Sequence, residues 1–164
     1  MCLINSKKKS CNKDIDCYKL AYVKNHLSNT DFDIKTANFR TIYQNHDIVF
    51  NVEEVAELPE EEYCALSFED GHYFNFMAST NKGLKIDGGM FHSYKKLKDA
   101  VNAANREGFY CYVIECTIPK GSLLYEGEFD NVEAYASSKI RYNKIVYKNN
   151  CGKRRKILNV KKVV

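Results

Sequence analysis

Apolar residues recur along this chain mostly at every second position, in short runs separated by polar and glycine-containing turns. A period of two puts alternate side chains on opposite faces of a strand, so the pattern predicts a sheet. IDCYKLA, residues 15–21, reads as a first strand. In GHYFNFMAST, residues 71–80, Tyr73, Asn75 and Met77 fall on one face and His72, Phe74 and Phe76 on the other. FYCYVIECTI, residues 109–118, is nearly continuous in apolar and aromatic side chains, as expected of a central strand covered on both faces. The PKGS turn leaves it, and LLYEGEF (123–129) and the segment 139–147 read as further strands. NNCG at 149–152 reads as a hairpin turn before a last, basic strand.

The period changes once. Leu97, Ala100, Val101 and Ala104 follow helical spacing, which predicts a helix over 94–106. Ser93 stands where an N-cap belongs, and Gly108 where the helix would stop. Other stretches have weaker patterns. Residues 1–12 read as a polar, frayed segment that Leu3 and Ile4 could pin. TANFRTIYQ (36–44) reads as helical turns or an irregular crossing. IVFNVEEVAELP (48–59) fits a strand or a short helix ended by Pro59, and NKGLKIDGG (81–89) reads as a turn-rich approach. The expected fold class is therefore α+β, a bent, mostly antiparallel sheet of about five to seven strands with one principal helix, forming a single domain over 1–164.

Composition refines this. With 45% hydrophobic residues, 12 Tyr and 9 Phe, the chain can bury an aromatic-rich core. No apolar run approaches the roughly 18 residues that cross a bilayer, so no membrane partner is expected. MCLINSKKKS has no hydrophobic stretch behind its charges, unlike a secretory signal, and Cys2 stands where myristoylation needs glycine. The 7 cysteines form no CxxC pair, and Cys2 and Cys11 are poorly spaced for zinc. Free thiols and a cytoplasmic location are expected. Cys111 and Cys116 are five apart and should face opposite sides of their strand.

The net charge of +4 is polarised. Residues 45–87 carry ten acids and two lysines, whereas 134–164 carry ten Lys or Arg and no acid. Lys153, Arg154, Arg155 and Lys156, with Lys161 and Lys162, could contact nucleic-acid phosphates, weakly because no recognition module accompanies them. The same charges could guard a strand edge or dock on the acidic middle of the chain.

Several residues could carry chemistry. His92, read as just ahead of the helix, would be held neutral and could orient a ligand, or simply close the turn. Free amides at Ser93 and Tyr94 could hold an anion. Tyr135, Ser137 and Ser138 offer hydroxyls and a stacking ring. Glu126 could act as a base, Glu115 needs solvent or a partner, and Tyr18 with Lys19 could wall a pocket. Snorkelling from a strand edge is the simpler account of Lys19. His26, His46 and His72 lack metal-ligand spacing, and no P-loop, GxGxxG or nucleophile elbow occurs.

MCL (1–3), CYK (17–19), FHSYKKLKDA (91–100), IPKGSLLYEG (118–127) and YASSKI (135–140) together resemble a group of small proteins from gut Bacteroides-type bacteria and their phages. That resemblance implies no particular chemistry. The order of the CYK strand, a Gly-then-Phe-His strand, the LKDAV helix and the following central strand is more loosely similar to ADP-ribosyltransferase-type folds. It implies NAD as cofactor and Tyr18, His92 and Glu126 around a nicotinamide nucleotide. Cys17-Tyr18-Lys19 stands where those enzymes carry Arg or His. The leading expectation is a small accessory protein, without a cofactor, that binds a protein partner or small ligand in a cleft between sheet and helix start, at His92, Ser93, Tyr94 and Tyr135. An NAD-using enzyme and a weak nucleic-acid binder are the alternatives.

Overall fold

The alternating runs become strands in a computed structural model of the chain, which describes residues 2–23, 39–41, 47–48, 50, 55–57, 67–69, 72–74, 76–80, 83–87, 90–107 and 111–149. In chain order they are β1 (Cys2–Lys9), β2 (Ile15–Val23), β3 (Phe39–Thr41), β4 (Asp47–Ile48) and β5 (Ala56–Glu57). Then come β6 (Ser67–Glu69), β7 (His72–Phe74), β8 (Phe76–Thr80), β9 (Gly83–Asp87) and β10 (Phe91–Tyr94). Among the described residues one helix, α1 (Leu97–Glu107), precedes β11 (Tyr112–Ile118), β12 (Leu124–Phe129), β13 (Val132–Ser137) and β14 (Lys139–Lys148).

Seven strands in the order β14-β11-β2-β10-β13-β12-β1 form the body of an antiparallel sheet. Short β5 extends one end, β9 and β8 extend the other, β3 and β4 branch from β2, and β6 pairs with β7 separately. This is the expected α+β class. The register shifts within the pairings of β1 and between β11 and β14. Strand β11 is central, between β14 and β2. Its Tyr112, Ile114, Cys116 and Ile118 join one apolar cluster and Val113 another, so both faces are covered as its composition predicts. Cys111 and Cys116 divide between the same two clusters, on opposite sides as expected.

Four local expectations change. The N-terminal segment is strand β1, pinned by the fully buried Leu3 and seated between β12 and β9. Its polar sequence hid it, because Lys7, Lys8 and Lys9 line an exposed stretch of a paired strand. Gly127 makes the approach possible: a Cβ there would come within 2.6 Å of the Ile4 carbonyl oxygen. Second, 83–87 is strand β9 rather than a turn-rich approach. Third, within TANFRTIYQ, Phe39–Thr41 is strand rather than helix. Fourth, the helix starts at Leu97, not 94, and Ser93 is a strand residue rather than its cap. The expected basic strand after residue 149 lies outside the described residues.

Helix α1 packs on one face of the sheet through Ala100, Ala103 and Ala104, which meet Leu20, Tyr94, Val113 and Tyr147. Leu97, expected on that face, is 37% exposed. Small side chains let the helix lie close to the strands, so the described interface between helix and sheet is filled by apolar contacts.

Candidate ligand site

Cross-strand register sorts the candidate residues by face, because partners in an antiparallel pair point the same way and neighbours along a strand point oppositely. Tyr94 pairs with Tyr18 and with Ala134, and His92 pairs with Ala136. Tyr18, Tyr94 and His92 therefore lie on the helix side. Ser93 pairs with Tyr135, and Tyr135 with Glu126, so these three form a row on the opposite face. Lys19 alternates with Tyr18 and joins that opposite face, its ammonium 5.7 Å from the Phe91 ring centre.

The set Tyr18, His92 and Glu126 is thus not brought together. Two of its members lie on one face and the carboxylate lies on the other. The four residues expected to bind a ligand also divide, Ser93 and Tyr135 on one face and His92 and Tyr94 on the other. A single strand cannot present neighbouring side chains to one cleft. The run Lys153, Arg154, Arg155 and Lys156 lies outside the described residues.

His92 works as an internal tie. It is buried, with Nδ1 2.9 Å from the Met90 carbonyl oxygen and Nε2 3.2 Å from that of Ile86, which fastens β9 to β10. Burial, aided by the positive charge of Lys19, pushes its pKa down to about 4. The ring is held neutral as expected, but by desolvation rather than by a helix terminus. A neutral ring donates from one nitrogen only, and Nδ1 has the shorter contact. Tyr18 is half-buried against the helix-side cluster, where burial first and then Glu115 and Asp16 raise its pKa. Glu115 itself meets Lys144 at 3.3 Å.

Glu126 is engaged as well. Its carboxylate pairs with Lys95 at short range and with Lys9 at 3.6 Å. Lys95 also reaches Glu133 at 3.0 Å, and Lys96 pairs with Glu133. The hydrogen bond from Lys95 is the main reason the Glu126 pKa is lowered, and the carboxylates of Glu126 and Glu133 raise that of Lys95. A carboxylate held ionised in this way is a weak base at neutral pH. The cluster forms a half-exposed shelf, with Lys95 5.9 Å from the Tyr135 ring centre.

Inward from that shelf the row becomes buried. Tyr135 comes first, then Ser93, then Lys19. Ser93 is 0% exposed, and its hydroxyl has no hydrogen-bond partner among the described residues. Lys19 is 4% exposed, and its ammonium donates to the His92 carbonyl oxygen at 2.8 Å. Burial pushes the Lys19 pKa down to about 8, partly opposed by Cys116 and Cys17. These thiols face each other across β11 and β2. Tyr142 pairs with Cys116 on the same face, and its buried hydroxyl also has no partner among the described residues. Burial and the two thiols raise the Tyr142 pKa.

Sequence reading passed over Lys19 as the centre of this site, since a lysine in a strand ordinarily snorkels to solvent. The one available signal was its place in phase with Cys17 and Ala21, on the apolar side of β2. Among the described residues no group of three or more His, Cys, Asp or Glu could hold a metal, and no helix is long and apolar enough to cross a membrane. Comparison with family models, with characterised proteins and with solved structures finds no match to this chain.

Proposed function

We propose that this protein is a non-catalytic binding protein that holds a small polar ligand on the sheet face away from α1, between Tyr135, Ser93 and Lys19. The observation that carries this reading is the Ser93 hydroxyl, fully buried and without a partner among the described residues, in register with Tyr135 and in phase with Lys19. Burying a hydroxyl unpaired costs about 1–3 kcal/mol, which a ligand's polar group would offset. The buried Tyr142 hydroxyl adds a second such group on the same face. The interface between helix and sheet favours it less, because alanines and aromatic rings fill the described part. Catalysis by Glu126 is disfavoured by its ion pairs with Lys95 and Lys9.

Ligand-observed NMR on the full chain tests the reading, with ribose, nicotinamide and NAD as probes. At least one probe is expected to bind the wild type, and its signal change should disappear in Ser93→Val and weaken in Tyr135→Leu. Lys144→Gln, on the opposite face, should leave it unchanged. Binding indifferent to Ser93 and Tyr135, or no binding by any probe, overturns the proposal.

A further inference from the structure

We infer that Cys17 and Cys116 are a latent disulfide pair, which closes to an S–S bond when the chain folds in an oxidising environment and stays as two thiols when it folds in a reducing one. This goes beyond the binding reading and does not depend on it.

Cys116 of β11 and Cys17 of β2 are register partners in an antiparallel pair, so their side chains leave the sheet on the same face. Partners of that kind have Cα atoms about 4.5 or 5.5 Å apart, and both spacings fall within the roughly 4.4–6.8 Å that a disulfide spans. The two thiols are in hydrogen-bond contact. Both are free, and both are buried. Of the other free cysteines, Cys111 lies in the helix-side cluster. The Cys11 thiol faces the carbonyl oxygens of Pro119 and Lys13, at 3.2 and 3.5 Å. Closure of the Cys17–Cys116 bond therefore needs little movement of the backbone, since register has already brought the two sulfurs together.

Burial decides when the bond can form. Desolvation, and after it the hydrogen bond and charge of Cys17, raise the Cys116 pKa well above the ordinary thiol value, which the Lys19 ammonium only partly opposes. Thiolate is scarce there and oxidants are kept out, so the pair is inert in the finished fold. The bond forms as β2 and β11 come together, or when the two strands part locally. The oxidant is a small-molecule disulfide. One cysteine thiolate, its proton given to water, attacks a sulfur of the oxidant; that S–S bond breaks and one half leaves as a thiolate. The second cysteine, also deprotonated, attacks the cysteine sulfur of the mixed disulfide and releases the other half. Two electrons pass to the oxidant, and the two protons end on the two thiols released. Once closed, the bond ties Cys17 to Cys116 across more than half of the chain, which removes loop entropy from the unfolded state. The burial that hinders oxidation then shields the bond from reductants.

The test refolds the reduced full chain in mixtures of reduced and oxidised glutathione, blocks remaining thiols with an alkylating agent and maps tryptic peptides by mass spectrometry. A cross-link between peptides 14–19 and 107–120 is expected, in a fraction that rises with the oxidised share. The second peptide carries both Cys111 and Cys116. The link should therefore persist in Cys111→Ala and vanish in Cys116→Ala. Linked protein should melt roughly 5–10 °C above the reduced form and resist a thiol reductant until denaturant is added. Folded, reduced wild type held in the oxidised mixture should form the same link slowly, faster as urea below the transition is added, and this arm needs neither refolding nor a variant. Absence of the link in both arms overturns the inference. So does a different cysteine pair forming in preference, or linked protein that melts below the reduced form.

Discussion

Lys19 and His92 are neighbours across β2 and β10, yet they serve opposite faces, and burial disfavours the charged form of both. Their pH dependence follows. The folded-state pKa of Lys19, about 8, lies below its ordinary value of 10.5. Between these values the unfolded chain binds more protons, so the penalty of burying the amine is full below pH 8 and vanishes above pH 10.5. Thermal or urea unfolding of wild type and Lys19→Met should show the wild type gaining on the variant by about 3 kcal/mol across that window. The comparison must be a difference, because raised Cys111, Cys116 and Tyr142 act in the other direction there. His92 has the same sign at lower pH. Its folded pKa of about 4 lies below 6.5, so the wild type should lose about 3 kcal/mol relative to His92→Gln as pH falls from 6.5 to 4, then level off. A flat difference in either window would contradict the assigned burial.

Among the elements, the β12–β13 hairpin and α1 have the most exacting local chemistry. Asp130 and Asn131 both have positive φ, at 52° and 62°, as a two-residue turn between twisted strands requires. Asn131→Val places a β-branched residue in the left-handed region and should cost about 1–2 kcal/mol, whereas Asn131→Gly should be neutral or stabilising. In α1, Ala104→Leu adds volume where the helix meets Tyr147 and Val113, and overfilling should cost about 1–3 kcal/mol. Denaturant midpoints at constant m-value measure both.

These elements also show how far the sequence could be read. Strand β11 was legible because its apolar run is long enough to need cover on both sides. Strands β1 and β9 were not. Their pairing depends on partners far along the chain, and lysines at the edge of β1 masked Leu3 and Ser6. The helix existed where its spacing indicated, but its start did not. FHSY is drawn into the sheet by pairing with β13, and this tertiary contact outweighs a local N-cap preference. That shift of start point moved Ser93 and His92 from a helix entrance to opposite faces of a strand. The site was half legible for the same reason. Ser93, Tyr135 and Glu126 were recognised as polar residues, but the register that aligns them is not a local property.

For the whole molecule, β1 joins the body of the sheet to β9 and, through it, to β8. Removing residues 2–9 would expose the edges of β12 and β9 together and leave Ile86, Tyr125 and Met90 without Leu3. The truncated chain should melt well below the full one and associate on gel filtration, because unpaired edges template intermolecular pairing. Gly127→Ala should act in the same direction more mildly, by about 1–3 kcal/mol, since its methyl group would press on the β1 backbone.

The contacts that β1 makes also set a timetable. Asn5 meets Glu128 across 123 positions of sequence, and β2 zips to β11 from Ile15 with Ile118 to Ala21 with Tyr112. Chain entropy must therefore be surrendered over long loops before most of these pairings reward it. Refolding should take milliseconds to seconds rather than microseconds. During synthesis β1 and β2 must wait until β11 and β12 have left the ribosome. In that interval the apolar side of β2 stands open, and a chaperone that covers hydrophobic strands would have its greatest effect on yield.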